Sequence, residues 1–215
     1  MRFQTLWEAR WILFIEVLVT VGLYLLTPWL MVPGLLLILF TFYFFRDPER
    51  VPPGGEEVIL AAADGVVSDI TEIEEVQITH SRMKRVGIFL SVFDVHTNRA
   101  PIAGEVIYSE HYVGQFLDAR HKDATRLNEY RMWGFRNGAT TIAVRQITGA
   151  IARRIVAWSK VGDTVGRGER FGMIRFGSRT EIYMPLEAEI TVQVGERVQG
   201  GLSVIARLPA REVVE

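Results

Sequence analysis

From residue 17 to residue 45 the chain carries no charged side chain, and no other feature restricts its fold so severely. A run of this length is too long for an ordinary core helix. It also lacks the shorter apolar stretch and small-residue cleavage site of a removable signal peptide, so it is expected to stay on the mature protein. Pro28 and Pro33, in TPWLMVPG, divide it, because proline inside a helix removes a backbone donor and clashes with the preceding turn. The halves, residues 11–27 and 29–45, have 17 residues each. At about 1.5 Å per residue each reaches roughly 25 Å, short of a hydrocarbon layer of about 30 Å, so two short spans and a hairpin dipping into one leaflet both fit.

Arg2 and Arg10 precede this segment and Arg46 and Arg50 follow it, so the positive-inside rule puts both ends on the cytoplasmic side of a cell membrane. Trp7, Trp11, Tyr43, Phe44 and Phe45 supply an aromatic belt. A helical hairpin buried in a soluble oligomer is the weaker competitor. Residues 1–45 are thus expected to form a membrane-associated hairpin and residues 46–215 a separate domain, of ordinary size for one core. Assembly into a homo-oligomer is compatible with the sequence.

FRDPERVPPGGEE, residues 45–57, reads as a linker or a sharply turning entry strand. Beyond it, VILAAADGVVSDI, VGIFLSVFDVHT, PIAGEVIYSE, GATTIAVRQITG and IARRIVAWSKVGD are short runs rich in Val and Ile and bounded by Gly, Pro or Asp, the pattern of strands. The domain is expected to be mainly β. VGDTVGRGERFGMI at 161–174 and VGERVQGGLSVIA at 194–206 share V-G-acid-x-V, an internal repeat, and ADGVV at 63–67 pairs more loosely with AGEVI at 103–107. These pairings are similar to the barrel-sandwich hybrid folds of biotinyl and lipoyl domains. Residues 116–135, FLDARHKDATRLNEYRMWGF, read as a polar loop with a short helix.

The composition removes several chemistries. With no cysteine there are no disulfides, thiolate metal sites or cysteine nucleophiles, and a net charge of -1 gives no basic footprint for nucleic acid. His80, His96, His111 and His121 lack the close spacing of a zinc signature, so no metal is expected. Lys84, Lys122 and Lys160 are the only lysines, and none has the phosphate-cradling glycines of a pyridoxal phosphate site.

FDVHTNRAP, residues 93–101, sets Asp94, His96 and Arg99 at the end of an apolar strand. A histidine there can move protons near neutral pH, and it serves equally as a structural histidine in a turn. Asp64, in AAADGVV, is either a site acid or the first residue of an Asp-Gly turn. In IRFGSRTE, residues 174–181, the Ser178 hydroxyl can attack the preceding Gly177 carbonyl, because glycine offers no side chain to hinder approach. The amide becomes an ester, elimination leaves dehydroalanine, and hydrolysis yields a pyruvoyl group. Most Gly-Ser pairs are simply turns, so the pair alone does not decide.

FFRDPER, ADGVV, SVFDVHTNRAP, FLDARHKDATRLNEY and FGSRTEIYMP occur in this order from residue 44 onward. Together they resemble the phosphatidylserine decarboxylase family, in particular its short bacterial and archaeal branch. The resemblance implies cleavage between Gly177 and Ser178, giving a β chain of residues 1–177 and an α chain of residues 178–215. It further implies a covalent pyruvoyl cofactor made from Ser178, with phosphatidylserine or a related serine phospholipid, ester or ether, as substrate. Asp64 matches the family's aspartate, and His96 matches the first histidine of its D-x-H-x-x-H stretch. Arg99 stands where the second histidine falls. That departure leaves His96 as the preferred base and Arg99 as a ligand for the charged headgroup, since a guanidinium suits phosphate and carboxylate. The alternatives are a pyruvoyl decarboxylase of a soluble amino acid derivative and a non-enzymatic biotinyl- or lipoyl-like membrane adaptor.

Overall fold

The computed structural model describes residues 3–55, 57–118, 121, 123–150, 154–175 and 178–209. The chain forms two compact units, with the boundary between Glu49 and Arg50.

The first unit is helical. α1 (Phe3–Leu26) is followed by a single 3-10 turn, Pro28–Leu30, and α2 (Met31–Phe44). Thr27 is extended, at φ -163°, as the residue before a proline tends to be, and this ends α1. Pro33 does not divide a helix as expected, because it falls in the first turn of α2, where its missing N–H would be unsatisfied anyway. α1 also starts well before residue 11, since FQTLWEAR contains no helix breaker. Residues 4–26 form one stretch of 23 residues whose apolar 18-residue window has a mean hydropathy of 1.9, long and apolar enough to cross a membrane; α2 is shorter.

The two helices pack with polar groups inside and apolar groups outside. Thr41 Oγ1 donates to Glu16 Oε1 at 2.7 Å, and Thr20 Oγ1 donates to the Glu16 carbonyl at 2.6 Å. A Cβ at Gly34 would lie 2.3 Å from Thr20 Oγ1, so only glycine permits this approach. Trp11, Leu25, Leu26 and Trp29 are instead exposed.

The second unit is mainly β, as expected. Its strands are β1 (Val58–Leu60), β2 (Gly65–Glu75), β3 (Ser81–Leu90), β4 (Thr97–Arg99), β5 (Gly104–Tyr112), β6 (Tyr130–Asn137), β7 (Thr140–Ile147), β8 (Ile155–Ala157), β9 (Thr164–Val165), β10 (Arg170–Ile174), β11 (Ser178–Pro185), β12 (Glu189–Ile190), β13 (Arg197–Val198) and β14 (Val204–Arg207). They form one sheet of order β13-β2-β3-β11-β7-β6-β5-β9 and two three-stranded sheets, β4-β10-β8 and β1-β14-β12. Every strand pair is antiparallel. One core, with Ile88, Leu90, Trp133, Phe135, Phe171 and Ile182 among its members, lies between them.

The repeat seen in the sequence is a structural one. Gly162 and Gly195 take φ of +91° and +90°, and the acid after each accepts a hydrogen bond from the backbone N–H three residues before it, at 2.9 Å for Asp163 and 3.0 Å for Glu196. The first turn exchanges backbone bonds with Val106 and pairs β9 with β5. The second does the same with Val67 and pairs β13 with β2. At Gly65 and Gly104 a Cβ would come within 2.1 and 2.2 Å of the Phe89 and Arg136 carbonyl oxygens, which explains the glycine in both ADGVV and AGEVI.

Residues 116–135 differ from their expectation. They contain a one-turn helix, α3 (Ala124–Leu127), but from Tyr130 onward they are β6. The charge of that stretch hides a short run, residues 132–135, that is buried on both faces of the sheet.

Candidate active site

Register brings the expected residues to one end of the large sheet. Val66 pairs with Phe89, so Gly65 falls beside Leu90, and Ser178 pairs with Leu90 from the other side. Asp64, at the entry to β2, and Ser178, at the start of β11, therefore share an edge. The segment leaving Leu90 carries Asp94 and His96 back to β4, and the His96 carbonyl accepts from Ile174 N–H at 3.2 Å.

A buried polar chain fixes this meeting. Trp133 Nε1 donates to Gln146 Oε1 at 2.6 Å and Gln146 Nε2 donates to Asn98 Oδ1 at 2.7 Å. Asn98 Nδ2 then donates to Thr180 Oγ1 at 3.2 Å. His96 lies two residues before Asn98 and Ser178 two residues before Thr180, so one bridge sets the spacing of both. In a low-dielectric core such a fully satisfied chain is rigid.

Ser178 is buried, and its Oγ has no hydrogen-bond partner among the described residues. Neither has the buried Thr97 Oγ1. A buried orphan hydroxyl costs about 1–3 kcal/mol, which makes Ser178 Oγ a candidate for chemistry. Converting the serine side chain to a ketone would remove the unpaired O–H donor, and in that respect the site suits a pyruvoyl group at this position. Gly177 lies outside the described residues.

His96 is fully buried, with Nδ1 2.9 Å from the Asp94 carbonyl oxygen. That oxygen can only accept, so Nδ1 carries the hydrogen and Nε2 is the basic nitrogen of the neutral ring. The Asp94 side chain caps the turn, accepting from Ser91 N–H and Oγ at 2.8 Å each, while its other oxygen meets Arg197 Nη1 at 2.6 Å. Burial alone would raise this carboxyl, but the bonds from Ser91 and Arg197 outweigh it and hold Asp94 below the ordinary aspartate range.

Asp64 is not joined to His96 or Ser178 by a hydrogen bond. Its carboxylate receives Arg50 in a two-pronged pair at 2.5 and 2.8 Å and the Gly200 N–H at 2.8 Å. Arg50 also reaches the Gly200 carbonyl, so the segment read as a linker carries the partner of a site acid. Arg99 is 1% exposed, and its Nη1 donates to the Gly168 carbonyl at 3.1 Å. A Cβ at Gly201 would come within 2.7 Å of Arg99 Cδ, so the glycine makes room for its stem.

The phosphatidylserine decarboxylase family model matches residues 37–206. This chain belongs to that family. It is 45% identical over 202 residues to the phosphatidylserine decarboxylase proenzyme of Carboxydothermus hydrogenoformans, covering 94% of this chain and 95% of that protein. It is 47% identical over 174 residues to the proenzyme of the same name from Symbiobacterium thermophilum, covering 80% and 81%. A third relative of that name, from Syntrophus aciditrophicus, is 46% identical over 176 residues, covering 81% and 83%. Within the decarboxylase family frame, sequence reasoning missed Arg50, Arg197, Gln146 and Trp133. The one available signal was Arg50, which stood inside the FFRDPER stretch that carried the resemblance.

Proposed function

We propose that this chain is a membrane-bound proenzyme that cuts itself between Gly177 and Ser178 and then converts phosphatidylserine to phosphatidylethanolamine and carbon dioxide. The observation that carries this is the buried Ser178 Oγ at the head of β11, unpartnered among the described residues, in a chain whose relatives are named as proenzymes.

In self-cleavage Ser178 Oγ adds to the Gly177 carbonyl and the acyl group passes from nitrogen to oxygen. Loss of the Ser178 α-proton then expels the Gly177 carboxylate, leaving dehydroalanine. Water enters, ammonia leaves, and residue 178 ends as a pyruvoyl group blocking the new α chain. His96 takes and returns the protons through Nε2, its ring fixed by the Asp94 carbonyl. Asp64 acts with Arg50 and Gly200, holding the entry to β2 against the cleavage edge.

The pyruvoyl ketone supplies a sink for the electron pair left when carbon dioxide departs the serine headgroup. His96 delivers the proton that replaces the carboxylate. Arg99 is the headgroup ligand of this proposal, with the lesser support, since it is buried and one of its nitrogens serves Gly168.

A diacyl substrate stays in the bilayer, and a hairpin that is apolar outside and polar inside keeps the enzyme there. The arginines flanking the hairpin support a catalytic unit on the cytoplasmic side. Purified full-length protein mixed with phosphatidylserine vesicles should release carbon dioxide, and Ser178→Ala should release none. Release from soluble O-phosphoserine but not from the vesicles would favour a soluble substrate instead.

A further inference from the structure

Self-cleavage, if it occurs where proposed, creates a difficulty that the fold must meet. β11 is an interior strand, with β3 on one side and β7 on the other, and scission turns its first residue into a chain end. Chain ends fray unless tied down. Ser178 is held by β3 alone, since pairing with β7 begins at Arg179, opposite Ile147.

The next side chain is tied down unusually well. Arg179 is 7% exposed, and its guanidinium donates to Ser68 Oγ at 2.7 Å, Asp69 Oδ2 at 2.7 Å and Glu181 Oε1 at 2.9 Å. Arg85 meets the same two acids, Asp69 at 2.9 Å and Glu181 at 3.4 Å, so two cations balance two anions. Tyr183 Oη donates to the remaining Glu181 oxygen at 2.6 Å. Gly87 lies opposite, where a Cβ would come within 2.2 Å of Arg179 Nη2. Alternation puts this cluster on the sheet face away from Ser178 and Thr180, whose face carries the Asn98 bridge.

We infer that Arg179 is a positioning residue: its anchored guanidinium keeps the residue-178 end of β11 in register after the backbone before it is severed. Its guanidinium is engaged by Ser68, Asp69 and Glu181 on the face away from the Ser178 side chain. Arg179 acts through its own backbone, whose N–H is part of the amide that follows residue 178. This inference rests on the proposed self-cleavage.

The test compares wild type, Arg179→Lys and Ser68→Ala, all full length in vesicles, with Ser178→Ala and Ser178→Ala/Arg179→Lys as uncleavable backgrounds. Intact mass gives the pyruvoyl content, kinetics give kcat per pyruvoyl and KM, and hydrogen exchange follows the amides of residues 179–181. Arg179→Lys keeps the charge but loses the three-way fork, and misplacement of a reacting centre is costly. Its kcat per pyruvoyl should fall about tenfold with KM within about twofold of wild type. Exchange should accelerate in the cleaved protein and stay slow in the uncleaved double variant, a contrast that a merely structural residue would not produce. Ser68→Ala removes one acceptor at an exposed hydroxyl and should show the same pattern at about two- to threefold, which keeps the test decisive if Arg179→Lys fails to fold. Unchanged kcat per pyruvoyl, or equal exchange in cleaved and uncleaved backgrounds, overturns the inference alone. A wild-type chain uncut at residue 178 overturns the self-cleavage reading and this inference with it.

Discussion

The two halves of the internal repeat share a backbone and differ in what they carry. In one, the strand-entry glycine Gly65 is preceded by Asp64 and its partner strand contributes Arg197; in the other, Gly104 is preceded by Ala103 and the partner contributes Thr164. Asp64 is paired with Arg50 and Arg197 with Asp94. The exits differ as well. β3 leaves through a segment bearing Asp94 and His96, whereas β6 turns directly into β7 through Gly138 and Ala139, with Asn137 opposite Thr140. One copy thus serves as scaffold, and the charges that bear on the proposed chemistry are grafted on the other.

Substitutions that erase this asymmetry should have graded effects. The largest is expected for His96→Ala, which removes the proposed proton carrier from the longer exit: chain cleavage, followed by intact mass over time, should slow by about 10²–10⁴-fold. Asp64→Ala gives the first half the residue type of the second and leaves Arg50 buried without its partner, side chains that are 6% and 11% exposed. Denaturant unfolding should show a loss of about 3–5 kcal/mol, with slower cleavage.

Arg197→Ala should cost much less, about 1 kcal/mol or below, because that arginine is 65% exposed on its side chain. Its signature lies in acid. Asp94 titrates below its ordinary value when folded, so the stabilisation it gives is complete above the unfolded value of about 4 and is lost as pH falls through the lower folded one. Without Arg197 the folded value moves up, and acid unfolding followed by circular dichroism should begin at higher pH. Thr164→Ala, the matching change in the scaffold copy, should alter stability by no more than about 0.5 kcal/mol and leave cleavage at the wild-type rate.

Local pattern made part of this legible. The charge-free run announced the hairpin, β-branched runs announced strands, and V-G-acid-x-V announced a repeat because its glycines need positive φ in both copies. Partners distant in sequence did not show. Gly200 lies 136 residues from Asp64, Arg197 lies 103 from Asp94, and Gln146 lies 48 from Asn98; only sheet register joins them. The start of β6 was hidden for another reason, since Arg131 and Arg136 flank and mask the short run, residues 132–135, that is buried on both faces. Arg99 was read from its place in the family's stretch and from its residue type, and neither reveals that its guanidinium lies against the Gly168 carbonyl.

The central claim is that Ser178 becomes the blocked first residue of a separate chain, and intact mass spectrometry of the purified wild-type protein tests it most directly. The account predicts two polypeptides, the smaller spanning residues 178–215 with a pyruvoyl group in place of serine. A single uncut chain with an ordinary serine at 178, in a preparation that still decarboxylates phosphatidylserine, would contradict it.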